Sequence, residues 1–109
     1  MKRFSVIVTP EAQAGIRESF LYIHERSPHN GERWLRQLYA QIENLEQFPD
    51  RCEYAREREY LKEEVRQLVF KSHRVVFQVD QASHTVYVLH VRHASRRAIG
   101  EPEETQDSE

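Results

Sequence analysis

Val65-Arg66-Gln67-Leu68-Val69-Phe70, then Lys71-Ser72, then His73-Arg74-Val75-Val76-Phe77-Gln78-Val79 is the stretch on which the fold turns. It is rich in β-branched and aromatic residues and is broken by a short polar pair. A third run, Thr85-Val86-Tyr87-Val88-Leu89-His90-Val91-Arg92, follows the polar stretch Asp80 to His84. Runs of this composition between polar breaks read as strands. The breaks are too short for a parallel crossover, so the three strands run antiparallel. In the last run Val86 and Val88 share one face, whereas Leu89 and Val91 fall on the other. Either both faces are covered or a bulge shifts the phase near Leu89.

Upstream, residues 51–62 are charged and aperiodic and read as a surface loop. Two helices precede them. Thr9-Pro10-Glu11 combines a capping hydroxyl, a proline at the first helical position and an acid at the positive end of the dipole. Ala12, Ile16, Phe20 and Ile23 then form one apolar face. Ser27-Pro28 repeats the device. Its stripe is Trp34, Leu38, Ile42 and Leu45, widened by Leu35 and Tyr39, and Phe48-Pro49-Asp50 ends it. The short break predicts an antiparallel helical hairpin. Before it, Phe4, Val6 and Val8 alternate with Ser5, Ile7 and Thr9 as a first strand. The order is strand, helical hairpin, then three antiparallel strands: an α+β domain with the hairpin on a mostly antiparallel sheet.

Composition sets the outer bounds. The 109 residues make one domain with a modest core. A single cysteine, Cys52, excludes an intrachain disulfide and a zinc-binding cysteine cluster. No window approaches a membrane span, and the opening apolar run is too short for a signal peptide, so a cytoplasmic protein is expected. The net charge of -2 conceals an uneven distribution. Residues 61–98 carry 7 Lys/Arg against 3 Asp/Glu, a surplus of +4. Residues 99–109 carry five acids and no Lys/Arg, which reads as a disordered acidic tail after a folded domain at 1–98.

The ordered series of motifs resembles the RelE/ParE toxin superfamily of bacterial toxin–antitoxin systems. Val8-Thr9-Pro10-Glu11-Ala12 is similar to its strand-to-helix junction. Phe20 to Pro28 is similar to its inter-helix turn, and Glu32 to Pro49 to its second helix with the proline stop. The three strand runs are similar to its closing strands, ending in Val88-Leu89-His90-Val91-Arg92-His93-Ala94-Ser95-Arg96-Arg97. The resemblance implies a toxin neutralised by a cognate antitoxin. ParE-like members act on DNA gyrase. RelE-like members enter the ribosome and cut mRNA, without a metal.

The two targets imply different site residues. A RelE-like endoribonuclease would use Arg66 and Arg74 to steady a phosphorane-like transition state and His93 for acid–base chemistry. That trio lacks a second acid–base group. Nothing aromatic follows Tyr87, and the tail is acidic, which ribosomal RNA would repel. These departures point to the ParE-like reading, a non-enzymatic gyrase inhibitor with Arg92, Arg96 and Arg97 as target contacts. The competing expectations are structural. Arg66 and Arg74 pair with acids such as Glu63, Glu64 or Asp80, and His93 closes the sheet edge. No cofactor is implied. His90 and His93 fall on opposite faces of a regular strand, so with His84 they do not make a metal site. Trp34 reads as a core anchor and Cys52 as incidental. Leu21 and Tyr39 fall off their core stripes and are candidates for an exposed strip that receives an antitoxin helix. The alternative is that Leu21 packs beneath the 51–62 loop.

Overall fold

The computed structural model describes residues 3–61 and 64–102. Strand β1 (Ser5–Val8) leads into α1 (Pro10–Arg26) and α2 (Pro28–Glu43). Three short 3-10 turns follow, at Asn44–Glu46, Pro49–Arg51 and Arg56–Glu59. The chain closes with β2 (Arg66–Phe70), β3 (His73–Asp80) and β4 (Thr85–His93).

Both expected caps form. Thr9 Oγ accepts from the Ala12 N–H at 3.3 Å and also donates to the Val88 carbonyl at 2.8 Å, which ties the start of α1 to β4. Ser27 serves two helices at once. Its N–H closes α1 on the Ile23 carbonyl at 2.9 Å, and its hydroxyl caps α2 through the Asn30 N–H at 3.3 Å. One residue therefore makes the hairpin turn. Gly31 lets it close so tightly, because a Cβ there would stand 2.8 Å from His24 Cα. Gly15 does the same on the sheet side, where a Cβ would lie 2.3 Å from the Val91 carbonyl oxygen.

The sheet order is β1-β4-β3-β2. The β2–β3 and β3–β4 pairs are antiparallel as expected, and β1 runs parallel to β4. Val76 pairs with His90 and Phe77 with Val88, which leaves Leu89 as the extra residue of a bulge. The bulge resolves the alternation seen in the sequence. Val86, Val88 and Val91 all reach the helix-side core with Val75, Phe77, Trp34, Leu38 and Ile42. Leu89 instead packs on the opposite face with Ala55, Val65 and Val76. Burying each large apolar side chain of this kind stabilises by roughly 1.5–3 kcal/mol. Leu45 continues the α2 stripe from the 3-10 turn, two residues beyond the helix.

That second cluster corrects the reading of residues 51–62. Through residue 61 the segment is a lid on the sheet's outer face. Tyr54 bridges to Arg66, and the Ala55 N–H donates to the Val65 carbonyl at 2.8 Å. Ala55 and Glu57 are buried. The acidic stretch also begins packed. Ala98 is buried, the Ile99 N–H donates to Glu57, and Gly100 lies against Tyr60 and Leu61. The disorder expected of residues 103–109, like Lys62 and Glu63, lies outside the described residues.

Candidate functional site

The two faces of the sheet carry different chemistry at the end where β3 and β4 meet α1. Register places His73 opposite His93 on the helix side, and Arg74 opposite Arg92 on the other. Two arginines on one rung repel. Glu57 answers that repulsion. Arg74 Nη1 donates to Glu57 Oε1 at 2.8 Å and Nη2 to Oε2 at 2.7 Å, with Gln67 Oε1 a further acceptor at 2.9 Å. The side chains of Arg74 and Glu57 are 3% and 0% exposed. Burial pushes the Glu57 carboxyl up, but the Arg74 guanidinium and the Ile99 N–H at 3.0 Å outweigh it and hold the group at about 2.

Arg92 has no carboxylate or carbonyl acceptor among the described residues, and its Nε is buried without a partner. Burial, and then the charge of Arg96, lower its pKa, with Arg74 and Arg56 adding to the effect. With Arg96 and Arg97 it lines a concavity of about 740 Å³ closed by residues 98–101. Arg96 has one exposed acid, Glu18, at 3.6 Å. The three candidate target contacts are thus brought together.

The three candidate nuclease residues are not. Arg66 stands at the far end of β2, opposite Phe77, where it donates to the Cys52 carbonyl at 2.6 Å and lies 3.6 Å from Asp50. Arg74 is sealed under Glu57 on the outer face. His93 is on the helix side. The partner acids expected in the sequence are also replaced. Asp50 and Glu57 take those places, and Glu64 lies 3.9 Å from Arg58 instead.

His93 nonetheless has a neighbour that sequence reasoning missed. Its ring meets His73 edge-on at a centroid distance of 5.3 Å. The Ser95 N–H donates to His93 Nδ1 at 3.1 Å, so the neutral ring carries its proton on Nε2. His73 Nε2 lies 3.0 Å from Ser19 Oγ, its Nδ1 is buried without a partner, and Trp34 meets its edge. Burial, then the charge of His93, lower the His73 pKa. Together with Tyr22 and Lys71 these side chains line a cleft of about 530 Å³. The signal was present in the spacing, since counting outward from the β3–β4 turn with one bulged residue pairs 73 with 93.

Leu21 and Tyr39 are both exposed, at 53% and 42%. They do not form one strip. Leu21 faces a groove between α1 and β4, beside His90 and Arg92, and is not covered by the 51–61 segment. Tyr39 faces the groove between the helices, with Phe20 and Leu35. Tyr22, exposed at 61%, is an apolar ring the periodicity did not single out. No group of three or more metal-ligating side chains occurs among the described residues.

Residues 6–98 match the family described as the ParE toxin of the type II toxin–antitoxin system parDE. The chain belongs to the ParE toxin family. It is thus a type II toxin of the RelE/ParE superfamily. Its fold is similar to that in the chromosomal ParDE toxin–antitoxin system of P. aeruginosa, with a TM-score of 0.70 and 17% identity over 85% of this chain and 98% of that one. It is also similar to the toxin–antitoxin complex RelBE2 of Mycobacterium tuberculosis, with a TM-score of 0.59 and 21% identity over 87% and 97% of the two chains. No curated protein sequence matches the chain. No helix among the described residues is long and apolar enough to cross a membrane.

Proposed function

We propose that this ParE-family toxin acts in the cytoplasm by binding DNA gyrase, without covalent chemistry of its own, and that a cognate antitoxin silences it. The observation that carries the reading is the dispersal of Arg66, Arg74 and His93. Arg74, one of the two candidate phosphate-binding arginines, has both terminal nitrogens committed to Glu57. Freeing it would leave a buried carboxylate uncompensated, which costs several kcal/mol. Arg92, Arg96 and Arg97 are clustered on one concavity with no buried carboxylate partner among the described residues, and a binding inhibitor needs cationic contacts of that kind rather than an acid–base pair. The grooves at Leu21 and Tyr39, on either side of the exposed ridge of α1, are the proposed antitoxin contacts.

A second reading rests on His73 beside His93, which supplies the second acid–base group a RelE-like, metal-independent mRNA endoribonuclease requires. Pulse-labelling of DNA and protein synthesis just after induction separates the two. The gyrase reading expects DNA synthesis to fall first, and purified toxin to inhibit gyrase supercoiling with His93→Ala as potent as the parent. An early fall in protein synthesis that His93→Ala abolishes refutes it and establishes the nuclease.

A further inference from the structure

The cleft of about 530 Å³ on the helix side of the sheet has a size that holds a small organic ligand. Two features of its wall are costly to the fold. Lys71 opens the two-residue turn between β2 and β3 with a φ of 53°, the left-handed region that glycine favours. A lysine there gives up turn stability, and it lines the cleft. His73, beside it, is 7% exposed, and its Nδ1 is buried without a partner. Buried polar atoms are normally paired, so this one marks the cleft as a place for chemistry rather than packing.

The charges around the cleft favour an anion. Lys71 and Arg96 line it, and Arg92 also borders it. Glu18 on α1 is the one acid among the described lining residues; it is exposed and lies 3.6 Å from Arg96. Glu57 attracts Arg92, but its carboxylate is already paired with Arg74 on the other face of the sheet. Helix α2 contributes Trp34 to the lining and no charge. The neutral His93 ring, with Nδ1 accepting from the Ser95 N–H, offers its Nε2–H as a donor. His73 and His93 can each take up a proton as an anion enters, so the cleft gains more from a dianion than from a monoanion. Tyr22, exposed at 61%, and Ile23 add carbon surface beside these donors.

We propose that this cleft binds a small phosphate monoester, its dianionic phosphate held by Lys71, Arg96 and His93 and its carbon body resting on Tyr22 and Ile23. The site shares Arg92 and Arg96 with the concavity proposed to meet the target. Its occupancy does not depend on what that target is.

The test titrates phenyl phosphate into the full chain by calorimetry at low salt, with inorganic phosphate and the phosphodiester dinucleotide TpT as comparisons. Phenyl phosphate should bind about tenfold more tightly than inorganic phosphate, because its ring is buried as well. It should also bind more tightly than TpT, whose phosphate carries a single charge. A bound anion favours the protonated imidazole, so the Hε1 resonances of His73 and His93 should titrate at higher pH in the complex, while that of His29 on α2 stays in place. Lys71→Gly removes the ammonium and suits the left-handed turn, so its melting temperature should be unchanged or raised. Its affinity for phenyl phosphate should fall about tenfold. Arg96→Gln, at an exposed position, should weaken binding similarly without touching the turn. Equal affinity for phenyl phosphate and inorganic phosphate, or tighter binding of TpT, would overturn the proposal. So would unmoved titrations of His73 and His93, or undiminished binding by both variants.

Discussion

Arg74 and Arg92 occupy one rung of the sheet, point to the same face and differ in fate. Arg74 is closed over by Glu57, Gln67 and the 51–61 lid, so its charge is part of the fold. Arg92, one strand nearer α1, has no acceptor among the described residues and opens onto the concavity of about 740 Å³. The lesson is that strand position alone does not separate a structural arginine from a binding one. What separates them is a single carboxylate delivered from a loop remote in sequence.

The sharpest way to break the contrast is Glu57→Ala. It leaves the Arg74 guanidinium buried and unpaired and releases the Ile99 N–H that holds the C-terminal segment. The expected loss is about 3–5 kcal/mol, read by urea denaturation. Replacing both partners with apolar residues, Glu57→Leu with Arg74→Met, should recover most of that loss, because the desolvation cost disappears with the charges. Failure of the double variant to recover would mean that the ion pair contributes more than its own neutrality.

Acid tests the same pair without mutation. The Glu57 carboxyl is held at about 2, below its ordinary 4.5. A depressed carboxylate contributes stability that is complete above the unfolded pKa and is lost as pH falls through the folded one. The contribution, about 3 kcal/mol from the shift, should therefore fade between pH 4.5 and 2. His73 acts in the same direction at higher pH. Its lowered pKa means that protonating the buried ring disfavours the fold, so its share is complete above about 6.5 and declines as pH falls below. Denaturation of Glu57→Gln across this range should show a flatter acid limb. An unchanged limb would separate the acid sensitivity from Glu57.

Gly15→Ala probes the helix-side face by comparison. The added methyl would sit 2.3 Å from the Val91 carbonyl oxygen, a backbone atom that cannot swing aside. Helix α1 must lift from β4, at an expected cost of about 1–3 kcal/mol by thermal melting. Gly31→Ala should behave alike at the helix–helix contact, where His24 is the neighbour. Alanine normally favours a helix over glycine, so a stabilised variant at either site would disprove the close approach.

These contrasts show where the sequence was informative. The helices were legible because cap-then-proline pairs and apolar stripes are local signals, and the strands because of their composition. Even the bulge left a trace, as the phase change at Leu89. Glu57 left none. It sits in Arg56-Glu57-Arg58-Glu59, where neighbouring acids are chemically interchangeable, and only tertiary placement selects the one that is buried. The Arg92 to Arg97 cluster was legible as a local density of charge. The His73–His93 pair was legible only through register, by counting across the β3–β4 hairpin with the bulged residue included. The glycines were not legible, since a close approach is a property of two elements.

The smallest expected effect on stability is the most informative one for function. Arg92→Gln removes a charge that has no acceptor among the described residues, that repels Arg96, Arg74 and Arg56, and that is attracted by Glu57, whose carboxylate is already paired with Arg74. Stability should change by no more than about 0.5 kcal/mol, with any change toward a more stable protein. Arg74→Gln, one rung-mate away, should lose several kcal/mol because Glu57 is left buried and charged. If Arg92 is a target contact, toxicity and gyrase inhibition should fall in the Arg92→Gln variant while its melting curve matches the parent. Unaltered toxicity in a folded Arg92→Gln protein would move the contact surface away from this end of the sheet. A large loss of stability would instead make Arg92 structural, and the contrast with Arg74 would fail.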